Sequence, residues 1–340
     1  MKVPKPRRPP LVGRLRFLLW AMVVAGVPVI LGQLVFETIR CTGLPATSLD
    51  FVEVFAGTKR ITQQMRLANY RAASFEIEDD PVHQDINSGP GYANLVRMIL
   101  STDGEKGGGL LSAIVCSTWV PINLGTSKRS PANPLGRVEL PSVAEGNLQA
   151  ARMALVLQLA TALGLLWLLE QPCRSLLMHY PRLASLFYKS FISKESFAMW
   201  KFGHKSRKPT WLWSNAMWLS DIHSYVVPLL RRRSLHPAAK TYYDAQGRKK
   251  FHGDKGTKAT QAYPVGFARA VVQLFGGRRQ DLAADFASLA KEVEHWAQHG
   301  SEDALYEMLT TRLPADKTGW ADAQLDGVFA WLLTQSPPTE

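Results

Sequence analysis

Cys116 and Glu170 are the residues most able to do chemistry in this chain. Cys116 closes an apolar run as Val115-Cys116-Ser117-Thr118-Trp119, and Glu170 closes the next as Leu169-Glu170-Gln171-Pro172. A thiol and a carboxyl group at adjacent strand ends suit covalent catalysis on a pyrimidine ring. The thiolate adds to C6, the carboxyl group protonates N3, and C5 becomes nucleophilic enough to accept a methyl group. A thiol needs help in ionising to act this way. The same residue types also fit a plain buried thiol and a loop carboxylate.

Both positions need a scaffold. Phe51–Phe55 reads as a buried strand that runs into Phe55-Ala56-Gly57, and a helix-like segment, Thr58–Asn69, follows. A second strand, Ala73–Ile77, ends among Glu76, Glu78, Asp79 and Asp80. A Gly-bearing turn after one strand and a carboxylate about 20 residues on is how an α/β sheet holds an adenosine group. Val82–Ile86 reads as a short third strand, Leu110–Cys116 and Leu165–Glu170 as buried parallel strands, and Ser142 to about Leu163 as a long helix. This alternation predicts an α/β fold, a Rossmann-like, mostly parallel sheet with flanking helices. The ends at Gly57, Glu76, Asp85, Cys116 and Glu170 should then converge on one edge.

The motifs, in their order along the chain, resemble the cytosine-C5 DNA methyltransferases, a class I S-adenosylmethionine-dependent family. Phe55-Ala56-Gly57 is similar to the family's Phe-x-Gly-x-Gly loop, Phe75-Glu76-Ile77 to its ribose-binding acidic strand end, and Asp85-Ile86 to its adenine-side pair. Cys116 matches the nucleophile, and Glu170-Gln171-Pro172 the Glu-Asn-Val or Glu-Asn-Pro motif. Arg207-Lys208-Pro209-Thr210 with Leu212-Trp213-Ser214-Asn215 is similar to a segment of viral and phage relatives, and Tyr263-Pro264 with Phe267-Ala268 to their closing helix. The resemblance spans about residues 50–275. It implies catalysis by Cys116 and Glu170, and S-adenosyl-L-methionine held by Phe55, Gly57, Glu76 and Asp85. Three departures stand out: Lys59 where a second Gly is usual, Val115 where Pro precedes the nucleophile, and Gln171 for Asn.

The charge of the 340 residues, +12 in all, is uneven. Residues 200–260 carry 13 basic and 3 acidic groups, interleaved with Trp200, Trp211, Trp213 and Trp218. Cations contact phosphates and aromatics stack on unpaired bases. Lys205, Arg207, Lys208 and Trp213 are therefore expected at a DNA interface, where the target base leaves the duplex. A solvated basic loop over a Trp-rich core explains the composition equally well. Three cysteines, Cys41, Cys116 and Cys173, without framework spacing, imply neither a disulfide scaffold nor a metal site.

The N-terminus carries a different signal. Six Lys/Arg and no acid in residues 1–16 precede the uncharged 20-residue run Phe17–Phe36. About 20 residues span a hydrocarbon core, and a basic flank stays cytosolic. The expected plan is a basic tail (1–16), a transmembrane or signal-anchor helix (17–36), a linker (37–50), the methyltransferase-like domain (51–275) and a helical extension (276–340). The alternatives are a cleaved leader for secretion or an organelle, or a nuclear protein whose run is no anchor. Three functional readings stay open: an active enzyme, an inactive Rossmann-like module binding nucleic acid or protein at a membrane, and a mobile-element relic.

Overall fold

Phe51–Val54 (β1) buries all four of its residues, as a strand covered on both faces must. In this computed structural model the described residues are 48–104, 107–189, 192–226, 240–243, 245–247, 249–252 and 261–276, with Gly32, Val35 and Ile39 upstream. After β1 come Arg60–Leu67 (α1), Ala72–Phe75 (β2), Gly89–Leu100 (α2), Gly109–Ser112 (β3), Leu124–Ser127 (α3), Pro141–Ala162 (α4), Leu166–Pro172 (β4) and Pro181–Lys189 (α5). Ser193–Ala198 (β5), Pro209–Ser214 (β6), a two-stranded hairpin of Lys240–Tyr243 (β7) and Lys249–His252 (β8), and a helix over 265–276 (α6) complete the described chain.

Six strands form one mixed sheet in the order β2-β1-β3-β4-β6-β5. The first four are parallel, with Phe51 opposite both Ala72 and Gly109, and Gly109 opposite Leu166. β6 is antiparallel to both neighbours, pairing Leu212 with Glu170 and Thr210 with Phe197. Alternation along each strand splits the core into two layers. Val52, Val54, Leu110, Trp167 and Leu169 pack with Leu95 and Ile99 of α2 and with Met153 and Leu157 of α4. Phe51, Leu111, Leu166, Leu168 and Leu212 pack with Ile61 and Met65 of α1 and with Phe267, Val271 and Phe275 of α6.

The expected strand over Val82–Ile86 does not form; these residues are turns. Two short acidic side chains claim the backbone first. Asp80 Oδ1 accepts from the N–H groups of Val82 and His83, both at 3.0 Å, and Asp85 Oδ1 accepts from Asn87 N–H at 2.8 Å. The turn is closed against α2, where a Cβ on Gly91 would lie 2.0 Å from the Asp85 carbonyl oxygen.

The expected anchor over 17–36 lies outside the described residues except for Gly32 and Val35, which are helical. Val35 and Ile39 are buried in the same apolar layer as Val52 and Val54. Among the described residues no helix is long and apolar enough to cross a membrane. Of the helical extension expected over 276–340, only Gly276, the last residue of α6, is described, and 277–340 lie outside.

Candidate active site

The loop from β1 to α1 carries three left-handed residues within five: Phe55 (φ +58°), Gly57 (φ +51°) and Lys59 (φ +56°). A non-Gly residue there costs energy, and such strain collects at functional loops. Lys59 therefore holds a left-handed backbone that glycine adopts at no steric cost. Its ammonium pairs with Asp79. A Cβ on Gly57 would meet nothing within 4 Å, so its φ, not lack of room, is what favours glycine. Gly57 N–H donates to Glu76 Oε2 at 2.7 Å, and Glu76 N–H donates to Gln84 Oε1 at 2.8 Å. Glu76 Oε1 accepts one long bond, 3.4 Å, from Glu78 N–H.

Behind this loop sits a carboxylate that the sequence reading missed. Glu53, on β1, is fully buried, and its Oε2 accepts from Thr62 N–H and Thr62 Oγ1, both at 2.7 Å. It therefore caps the first turn of α1 from inside the sheet. Burial raises its pKa above the ordinary carboxylate value, against the pull of the Thr62 hydrogen bonds. The available signal was its place in Phe51-Val52-Glu53-Val54-Phe55, an acid on the inward face of a buried strand.

The expected strand Leu110–Cys116 stops at Ser112, which leaves Cys116 in the loop after β3, where the charge of Glu170 on β4 acts on its thiol. Tyr263 OH donates to Glu170 Oε2 at 3.0 Å, and Lys208 Nζ lies 3.9 Å from Glu170 Oε1. Burial first, then the Glu170 charge, pushes the Cys116 thiol up to about 11, while Lys208 pulls it down. Burial, then the Glu170 charge, likewise holds the Tyr263 phenol well above its ordinary value. Gln171 ties the two strand ends together. Its Nε2 donates to the Ile114 carbonyl at 2.6 Å, and its Oε1 accepts from Ser175 Oγ at 2.9 Å. The Cys116 carbonyl accepts from Trp119 N–H at 2.9 Å, which starts the turn that follows.

Arg129 locks the rest of that segment onto α4. Nη1 donates to the Pro134 carbonyl (2.6 Å) and Asn147 Oδ1 (2.7 Å), and Nη2 to Thr118 Oγ1 (3.1 Å) and the Val143 carbonyl (3.2 Å). The guanidinium carbon also sits 3.4 Å from the Trp119 ring centre. Burial pulls its pKa down to about 10, so it remains a cation near neutrality. Removing the fork orphans buried acceptors. We expect Arg129→Met to lose about 2 kcal/mol in urea unfolding, and Arg129→Lys to recover little of it, because an ammonium cannot span these acceptors.

The remaining expected site residues are spread. Asp85 spends its carboxylate on its own turn. Lys205 and Arg207 are exposed before β6. Trp213 is not free for a base: it is 3% exposed and stacks on Phe187 at 5.8 Å. Trp211 is half-buried beneath Lys194 Nζ, 3.7 Å from its ring centre. Among the described residues no group of three or more His, Cys, Asp or Glu could hold a metal ion. In comparisons with known proteins, no family model, no curated protein and no solved structure matches the chain.

Proposed function

We propose that this chain is an S-adenosylmethionine-dependent methyltransferase-like protein of the cytosine-C5 DNA type, built on a Rossmann-like sheet. One observation carries the reading: Cys116, in the loop after β3, and Glu170, near the end of β4, lie close enough for the Glu170 charge to act on the thiol, on the same sheet edge as the Gly57–Glu76 pair. Open α/β sheets bind ligands at that edge.

The residues fit the cofactor. Glu76 keeps acceptor capacity on Oε1 for a ribose hydroxyl, and the open space beside Gly57 admits a ligand close to backbone. A dinucleotide fits less well. Its pyrophosphate needs the N–H groups at the start of the first helix, and here Glu53 already occupies the Thr62 N–H. The reversed strand β6 also departs from the all-parallel dinucleotide sheet.

When bound, the cofactor would supply an activated methyl group. Cys116 would add as the thiolate to C6 of the cytosine ring, and loss of the C5 proton to solvent after methyl transfer would expel the sulfur again. Glu170, buried and held by Tyr263, would manage a proton at N3. Lys205 and Arg207, exposed beside the centre's strand β6, suit phosphate contacts. A second reading, an inactive module that keeps the cofactor site, is supported by the thiol, which burial moves still further from ionisation.

Calorimetry tests the cofactor claim. The full chain should bind S-adenosylmethionine, and Glu76→Ala should weaken binding by about tenfold to a hundredfold, the loss of a charged hydrogen bond. No heat at millimolar cofactor refutes the reading. Binding without methyl transfer to cytosine-containing DNA selects the inactive module.

A further inference from the structure

The three cations before β6 are not equivalent. Lys205 and Arg207 are exposed, whereas the Lys208 side chain is 16% exposed and runs inward. Its backbone is left-handed, at φ +35°, a conformation costly for a residue with a side chain. Hydrogen bonds hold it there: the Lys208 carbonyl accepts from Met199 N–H and from Thr210 Oγ1, both at 3.0 Å. Strain maintained in this way directs a side chain. The ammonium lies 3.9 Å from Glu170 Oε1 and 5.1 Å from the centre of the Tyr263 ring. Glu170 Oε1 is buried and accepts no hydrogen bond among the described residues. An uncompensated carboxylate oxygen in such a place is costly, and a nearby cation offsets that cost.

We propose that Lys208 is a positioning residue of the Cys116–Glu170 centre, the resident counter-charge that lets a thiolate form beside a buried carboxylate, and not a phosphate contact. Its catalytic meaning rests on the function proposed above; its electrostatics do not. A negative charge is harder to place on a thiol beside a carboxylate, and a nearby cation relieves that resistance. The charged or titratable groups facing the thiol come from three places: Glu170 on β4, Lys208 before β6, and Tyr263 before α6, with Glu53 on β1 acting through Tyr263.

The test is the rate at which iodoacetamide alkylates Cys116 in the full chain, followed on the Cys116 peptide by mass spectrometry between pH 7 and 10. Lys208→Gln should slow Cys116 by about tenfold at pH 8.5 and move the profile up by about one pH unit. Lys208→Arg should restore the rate to within about threefold, which a purely structural role for the lysine stem would not do. An unchanged profile in folded Lys208→Gln overturns the proposal. Should that variant not fold, Lys208→Met, which keeps the apolar stem, is read the same way. Should neither fold, Glu170→Gln decides: with Lys208 left unopposed, Cys116 should react about tenfold faster, and an unchanged rate overturns the proposal. The cofactor titration of the wild-type chain is independent, so its failure removes the methyltransferase reading and leaves this result standing.

Discussion

Alkylation of Cys116 in the folded chain is expected to accelerate by about tenfold per pH unit from pH 7 to pH 10, about a thousandfold in all. A thiol with the ordinary value of 9.0 would level off within that range, whereas one pushed to about 11 does not. The cause is burial, reinforced by Glu170 and opposed by Lys208. The sign for stability follows. Between 9 and 11 the folded chain keeps a proton that the unfolded chain releases, so this group lowers stability as pH rises through that window. A plateau at or below pH 9 would mean that the thiol is already ionised by its surroundings, and the resting centre would need another description. The expected profile also says what substrate must do. At neutral pH the thiolate is scarce, so a ring that enters the site has to stabilise the thiolate or take its electrons at once.

The same centre shows how far the sequence could be read. That Cys116 and Glu170 lie near one another was legible, because each closes an apolar run in the sequence and consecutive parallel strands bring their ends to one edge. β1, β2 and β4 were legible for the same reason, within two residues, and β3 also, although it ends four residues before Cys116. The reversed position of β6 was not legible, because local pattern holds no information on which neighbour a strand will choose. Lys208 was read with Lys205 and Arg207 as a cation at a DNA interface. Only its φ of +35° and its inward path separate it from Arg207.

Three other differences have equally local causes. Val82–Ile86 suggested a strand, but Asp80 and Asp85 each turn a carboxylate oxygen onto their own backbone. Trp213 suggested a stacking platform, but it lies opposite Leu169 on β4 and is packed against Phe187. Lys59 suggested a damaged cofactor loop. Its backbone nevertheless takes the glycine-like conformation, and its charge is matched by Asp79. Local backbone contacts decide the use of Asp80 and Asp85, and tertiary contacts that of Trp213 and Lys59.

Glu53→Ala is expected to lower stability by about 3 kcal/mol, a fall of about 6–12 °C in the melting temperature for a domain of this size. Two donors, Thr62 N–H and Thr62 Oγ1, would lose their acceptor at a site closed to water, and each orphaned donor costs about 1–3 kcal/mol. Loss of a helix cap has a similar cost, about 1 kcal/mol, when water can replace it. Glu53→Gln separates the acceptor from the charge. It keeps an oxygen for Thr62 and should stay within about 1 kcal/mol of wild type. Its advantage should grow with pH. Because burial raises the Glu53 pKa above its ordinary 4.5, the folded chain holds a proton that the unfolded chain has released. Wild-type stability therefore falls as pH climbs upward from 4.5, and the glutamine variant escapes that fall. Thermal melts of the three proteins at pH 4.5 and pH 7 measure both effects. An unchanged melting temperature in Glu53→Ala would mean that water or a ligand already satisfies the first turn of α1. The helix start would then be open to an anion, and the argument against a pyrophosphate there would fall with the cap.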